Sequence, residues 1–183
     1  IYLHAAEENG QPVLRAVATD GHRLARLDAA LPDAAAEMKG VIVPRKTVLE
    51  LRRLLDDAGD EIRISLSDSR IRFAFDDIIL TSKLIDGTFP DYQRVIPTGN
   101  DRLLSVDNTD FRRAVDRVST VSADKTRSIK LSLREDQLTL LVNNPETGSA
   151  TEELSVDFKA PDLDIGFNAK YLLDIADQID GDK

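Results

Sequence analysis

Two histidines are present, His4 and His22. Asp20 and His22 are the candidate acid–base pair. No nucleophile motif and no glycine-rich phosphate loop accompanies them. The structural alternative is a tight turn at Asp20-Gly21 whose residues bond their own backbone. The chain has no cysteine, which excludes thiolate metal sites and cysteine nucleophiles and fits a reducing, cytoplasmic compartment. No cofactor and no metal is expected. The remaining residues with chemistry to offer are cations. They number 24 against 33 acidic residues, for a formal net charge of −9. Taken alone, that balance argues against tight wrapping of nucleic acid, so where the basic residues sit matters more than their total.

Some of those cations lie on the outer faces of two helices. Over Arg45–Asp57, Val48, Leu51, Leu54 and Leu55 recur at helical spacing, and Lys46 and Arg53 share the opposite side with Glu50 and Asp56 nearby. Arg45 opens the same helix. In the helix that follows Asp107 or Asn108 as cap, Phe111, Ala114, Val115 and Val118 form one face; Arg112, Arg113 and Arg117 form the other. An ordinary solvated surface explains either helix alone. Two such faces also suit a shallow lining that meets a phosphate backbone without reading bases.

Strands must hold these helices. Val13–Ala18 and Arg23–Leu27 read as a hairpin across Asp20-Gly21. A loop spans Pro32–Gly40, then Val41–Val43 leads through Pro44 into the first helix, which Gly59 ends. Ile62–Leu66, Ile71–Phe75 and Ile78–Leu84 read as three strands parted by Asp68-Ser69 and Asp76-Asp77. Residues 86–100, rich in Pro, Gly and Asp, have the composition of an interdomain linker. Ile129–Leu133 and Leu138–Val142 form a further hairpin, Glu152–Phe158 a strand. A third helix begins near Asn168 and buries Tyr171, Leu172, Ile175 and Ile179. At 183 residues the chain makes one large or two small domains, and no apolar run approaches the roughly 20 residues of a membrane helix.

The chain is weakly similar to itself at an offset of 124 residues: Leu14–Asp20 lies over Leu138–Asn144, and Val41–Lys46 over Ile165–Lys170. Leu49-Glu50-Leu51 then matches Leu173-Asp174-Ile175. The second copy opens with a helix that the first lacks, and the first closes with three strands that the second lacks. The expectation is a fragment of a longer protein built from copies of about 120 residues.

The strings Val17-Ala18-Thr19-Asp20-Gly21-His22-Arg23-Leu24-Ala25, Thr81–Gly87 and Phe89-Pro90-Asp91-Tyr92-Gln93-Arg94-Val95-Ile96-Pro97, with Val43-Pro44-Arg45-Lys46 and Gly166-Phe167-Asn168, closely resemble the bacterial sliding clamps, the β subunits of DNA polymerase III. The likeness runs in order along the whole chain. It implies an α+β DNA clamp fold of repeated helix-plus-antiparallel-sheet units, with helices on the inner face of a ring. Residues 1–97 would be most of the middle domain, ending in the linker at about 86–100, and 101–183 part of the third. The implied function is a non-catalytic processivity factor of the polymerase holoenzyme. It would encircle duplex DNA irrespective of sequence, with Arg45, Lys46, Arg53, Arg112, Arg113 and Arg117 facing the DNA.

The resemblance further implies a groove for short linear peptides of the polymerase III catalytic subunit, the clamp loader, other polymerases and repair proteins. Position by position it would use Thr19, Gly21, His22, Arg23 and Leu24, then Pro90, Arg94 and Val95, then Asn168 and Tyr171. Leu24, Pro90 and Val95 offer apolar walls; Arg23, Arg94 and Asn168 offer groups that orient a peptide. Structural roles stand beside these: His22 in a turn, Asn168 as a helix cap, Tyr171 in the core, Arg94 as a surface charge. The full-length protein would be a homodimer, with Val121 near the contact, and no membrane partner is implied. The alternative function is a protein-interaction module that does not encircle DNA.

Overall fold

The computed structural model describes residues 1–56, 59, 61–122 and 128–183. The chain divides into two compact units, Ile1–Ile96 and Pro97–Lys183. The first contains β1 (Tyr2–Glu8), β2 (Gln11–Thr19), β3 (Leu24–Ala30), β4 (Val41–Ile42), α1 (Arg45–Leu55), β5 (Arg63–Leu66), β6 (Arg70–Phe75) and β7 (Ile78–Lys83). The second contains β8 (Leu104–Ser105), α2 (Asn108–Ser119), β9 (Ser128–Arg134), β10 (Gln137–Asn144), β11 (Gly148–Ser155), β12 (Asp157–Phe158), β13 (Leu163–Asn168) and α3 (Ala169–Ala176). No helix among the described residues is long and apolar enough to cross a membrane.

The internal repeat reappears as topology. The first unit has a four-stranded sheet ordered β3-β2-β1-β4, and the second has one ordered β11-β10-β9-β13. Each sheet leads from its last strand into a helix, α1 or α3. In the second unit, alternation places Ile129, Leu131 and Leu133 of β9 and Leu138, Leu140 and Val142 of β10 on one face. Ala114, Val115 and Val118 of α2 close over that face. Each fully buried Leu or Val there contributes roughly 2 kcal/mol. In the first unit, Val48, Leu51 and Leu54 of α1 pack on Ile71, Phe73 and Phe75 of β6.

Several expectations need correction. The strand β1 was not anticipated, although Asn9-Gly10 marks its hairpin with β2. Both residues have positive φ, 52° and 76°, the backbone that a two-residue hairpin turn requires. Nor was the short strand β8. The helix α1 ends at Leu55, and Asp57, the expected last residue, lies outside the described residues. Leu55 is exposed rather than buried. The segment read as one strand over Glu152–Phe158 breaks at Val156, whose N–H donates to the carbonyl of Asp136. Beyond it β12 joins β8 in a separate two-stranded sheet. α3 ends at Ala176, so Ile179 lies beyond it; Ile179 is exposed and Ile175 is 55% exposed, while Ala169 and Ala176 of α3 are buried. α3 lies against α2, and small side chains are the ones that fit a close helix approach.

Residues 86–96, linker-like in composition, fold onto the first unit. Tyr92–Val95 form a 3-10 turn in which Tyr92 is buried. The ring of Phe89 stacks on that of Tyr2, centroids 4.9 Å apart.

Candidate functional site

The turn between β2 and β3 is built by its own side chains. Gly21 has φ +86°, a conformation that side chains rarely adopt. Its N–H donates to Thr19 Oγ1 at 3.1 Å, and that hydroxyl donates to the carbonyl of Arg23 at 2.8 Å. Asp20 Oδ1 accepts the backbone N–H of His22 and of Arg23, each at 3.0 Å, and Oδ2 accepts Arg23 Nε at 3.2 Å. The two backbone donors, His22 first, hold the Asp20 carboxyl below the usual carboxylate range. Both Asp20 oxygens are therefore engaged in shaping the turn, which is the structural reading rather than the acid–base one. The result is a rigid corner that presents His22 outward, with Arg23 and Leu24 half-buried beside it.

Pro90, Arg94 and Val95 lie in the segment that follows β7 in the same unit, and all three are exposed. Val95 is 68% exposed, an unusual state for a branched apolar side chain whose neighbour Tyr92 is buried. Arg94 and Val95 share the 3-10 turn that Tyr92 begins.

Asn168 caps α3 in the second unit: its Oδ1 accepts the N–H of Lys170 at 2.9 Å. Asn168 and Tyr171 are both half-buried. The cap role is thus filled, and the Asn168 amide nitrogen is not needed for it.

The cationic helix faces differ in how much charge they leave available. Arg45, Lys46, Arg53 and Arg113 are exposed. Arg53 is 80% exposed and faces Glu50 only at 3.9 Å. Among the described residues, Arg45, Lys46 and Arg113 have no ion-pair partner. Arg117, by contrast, makes a forked pair with Glu152 at 2.6 and 2.9 Å. That contact raises the Arg117 pKa and lowers that of Glu152. Arg112 pairs with Asp177. Val121 is half-buried and packs on the core of its own unit, and its carbonyl accepts Thr147 Oγ1 at 2.5 Å. No group of three His, Asp or Glu able to hold a metal ion occurs among the described residues.

Sequence reasoning passed over one cluster near these residues. Arg15 of β2, 3% exposed, is the main buried charge. Its guanidinium meets Asp28 at 2.7 and 2.8 Å and Glu8 at 2.5 Å, and it donates to Tyr92 Oη at 3.4 Å. Tyr92 Oη lies 3.1 Å from His4 Nε2. The signal was available: the Asn9-Gly10 turn sets a register that places His4 opposite Arg15.

Comparison with known proteins gives a consistent set of relatives. Residues 1–91 match the central domain of the DNA polymerase III beta subunit, and 93–183 match its C-terminal domain. The beta sliding clamp of Caulobacter vibrioides is 51% identical over 181 residues, 99% of this chain and 49% of the relative. That of Escherichia coli K12 is 41% identical over 162 residues, 88% of this chain and 44% of the relative. Among solved structures, the DNA polymerase III subunit beta sliding clamp of Bartonella birtlesii bound to griselimycin superposes with a TM-score of 0.95 at 51% identity, over 99% of this chain and 49% of that one. The chain spans about half the length of the curated relatives it matches.

Proposed function

Because the chain belongs to the DNA polymerase III beta subunit family, the bacterial sliding clamps, we propose that it supplies two domains of a clamp that encircles duplex DNA and tethers a polymerase to it. The single observation that carries this reading is an identity of 51% spread over 99% of the chain. No catalytic step is assigned. The clamp works by topology, with weak sequence-independent phosphate contacts that allow sliding. Arg45, Lys46, Arg53 and Arg113 are the cations best placed for those contacts because their charge is least neutralised by neighbours. Arg112 and Arg117, each engaged by a carboxylate, contribute less. Dimer closure would involve the region of Val121.

Partner proteins dock through short peptides. In this reading Thr19, Gly21, His22, Arg23, Leu24, Pro90, Arg94 and Val95 form the first unit's share of the docking site, and Asn168 and Tyr171 form the second unit's share. Exposed Val95 beside exposed Arg94 supports the assignment, since a peptide site needs an apolar wall with a few orienting polar groups.

Retention on DNA tests the clamp reading. The full-length protein is loaded onto nicked circular DNA by the clamp loader and its dissociation is followed. Arg53→Glu with Arg113→Glu is expected to shorten the lifetime on DNA several-fold with no change in the urea unfolding midpoint. Unchanged retention removes the helix faces from DNA contact. A wild-type protein that never stays on circular DNA, yet binds partner peptides, supports the interaction-module alternative instead.

A further inference from the structure

Within the first unit, one row crosses the sheet: His4 of β1 pairs with Arg15 of β2, which pairs with Asp28 of β3. Tyr92 adds its hydroxyl to this row from 77 residues away in sequence. The carbonyl of Ala5 can only accept, so His4 Nδ1 donates to it, at 2.8 Å. His4 Nε2 shares a hydrogen bond with the Tyr92 hydroxyl, 3.1 Å away. Tyr92 Oη in turn accepts from Arg15. Asp28 and Glu8 hold the guanidinium from its other sides.

A second fastening lies three residues earlier. His4, Tyr2 and Phe89 form a stack, with centroid separations of 4.6 Å and 4.9 Å. Tyr92 meets His4 tilted, at 5.9 Å. Among the described residues, no backbone hydrogen bond ties 86–95 to the sheet; the bond from Ile85 N–H to the carbonyl of Ile42 is the last. Side chains alone therefore set where this segment sits, and Phe89 and Tyr92 bracket Pro90 and precede Arg94 and Val95.

We propose that Tyr92, held by Arg15 and His4, is a positioning residue for peptide docking, fixing the Pro90, Arg94 and Val95 wall on the sheet. The inference rests on the docking reading above. A wall already held in place loses no conformational freedom when a peptide arrives, which raises affinity without a new contact.

The test uses the full-length protein and a short peptide of the polymerase III catalytic subunit as the probe, with Tyr92→Phe, His4→Phe and the double variant. Both substitutions keep an aromatic ring and remove the Tyr92–His4 hydrogen bond; Tyr92→Phe also removes the bond from Arg15, and His4→Phe the bond to the Ala5 carbonyl. Calorimetry is expected to show each single variant binding about fivefold more weakly. The double variant should lose less than the product of the two single losses, because both remove the Tyr92–His4 link. Amide exchange should quicken over 93–96 and not in β6. Unchanged affinity in the single variants overturns the proposal, and so do losses that multiply in the double variant. Exchange that quickens equally in β6 also overturns it, since that is general destabilisation. If the wild-type protein itself does not bind the peptide, the docking reading falls and takes this inference with it. Wild-type binding with indifferent variants removes this inference alone.

Discussion

At the residue scale, two groups of side chains do different work. The turn residues Thr19, Asp20 and Arg23 are spent on one another, so that His22 and Arg23 are presented in one geometry. Replacing His22 and Arg23 together by alanine in the full-length protein is expected to weaken binding of a partner peptide about tenfold or more, as loss of an orienting cation and its neighbour does; unaltered affinity by calorimetry would remove the turn from the docking site. Arg15 is spent on stability. Arg15→Ala leaves Asp28 and Glu8 facing each other without their cation and is expected to cost about 3 kcal/mol in urea unfolding. The same cluster sets an acid response. Arg15 holds the Asp28 carboxyl below its ordinary value; Arg26, then Arg15, does so for Glu8. A carboxyl depressed in the folded state binds fewer protons than the unfolded chain does. Its contribution is therefore whole above about pH 5 and declines as pH falls from there through the depressed values. Asp164, lowered to about 2 by Lys130, Ser132 and Arg134, extends that decline to the acid end. Urea midpoints measured from pH 7 to pH 3 should fall in the wild type and fall less steeply in Arg15→Ala.

At the element scale, the helices begin at caps that the sequence displays. Asp107 Oδ1 accepts the N–H of Asp110 at 2.8 Å and starts α2, which then closes over the second unit's core. Asp107→Ala should destabilise by about 1 kcal/mol, and Asp107→Ser by much less, in thermal unfolding. Hairpins and alternating strands were legible for the same reason as caps: each depends on residues within a few positions. The Asn9-Gly10 turn belonged to this class and could have been read, and β1 with it. The end of the Glu152–Phe158 strand did not, because the break at Val156 comes from Asp136 on another element. The burial of α3 did not either. Periodicity marks Ile175 as apolar-face, but whether anything covers it depends on how closely α2 approaches.

At the scale of the whole molecule, an acidic protein with a net charge of −9 can touch phosphate only through local faces. Four exposed helix cations with little neutralisation give few released counterions, so DNA retention by the full-length protein should depend only shallowly on salt. The slope of log affinity against log salt is expected to be about −4 or less in magnitude per protomer from this chain's residues. A slope near −10 would mean that phosphate binding is carried elsewhere. The two units share one sheet order, and the repeat at 124 residues, faint as identity, is plain as topology. Strand order tolerates substitution because any residue of the right hydrophobic class keeps the pattern.

The amino-acid sequence by itself determined the α+β class, the two hairpin-bearing repeats, the caps of α2 and α3, and the strings that carry the clamp resemblance. All of these are local patterns, set by turn chemistry, alternation and residue identity. Only the tertiary structure decided that Arg15, on a strand that reads as half-exposed, is buried at 3% exposure beneath Tyr92. It alone turned linker-like residues 86–96 into part of the first unit, and left Arg53 less neutralised than Arg117. The physical reason is common to all three: burial and ion pairing depend on which distant segment arrives, and no short window of sequence contains both partners.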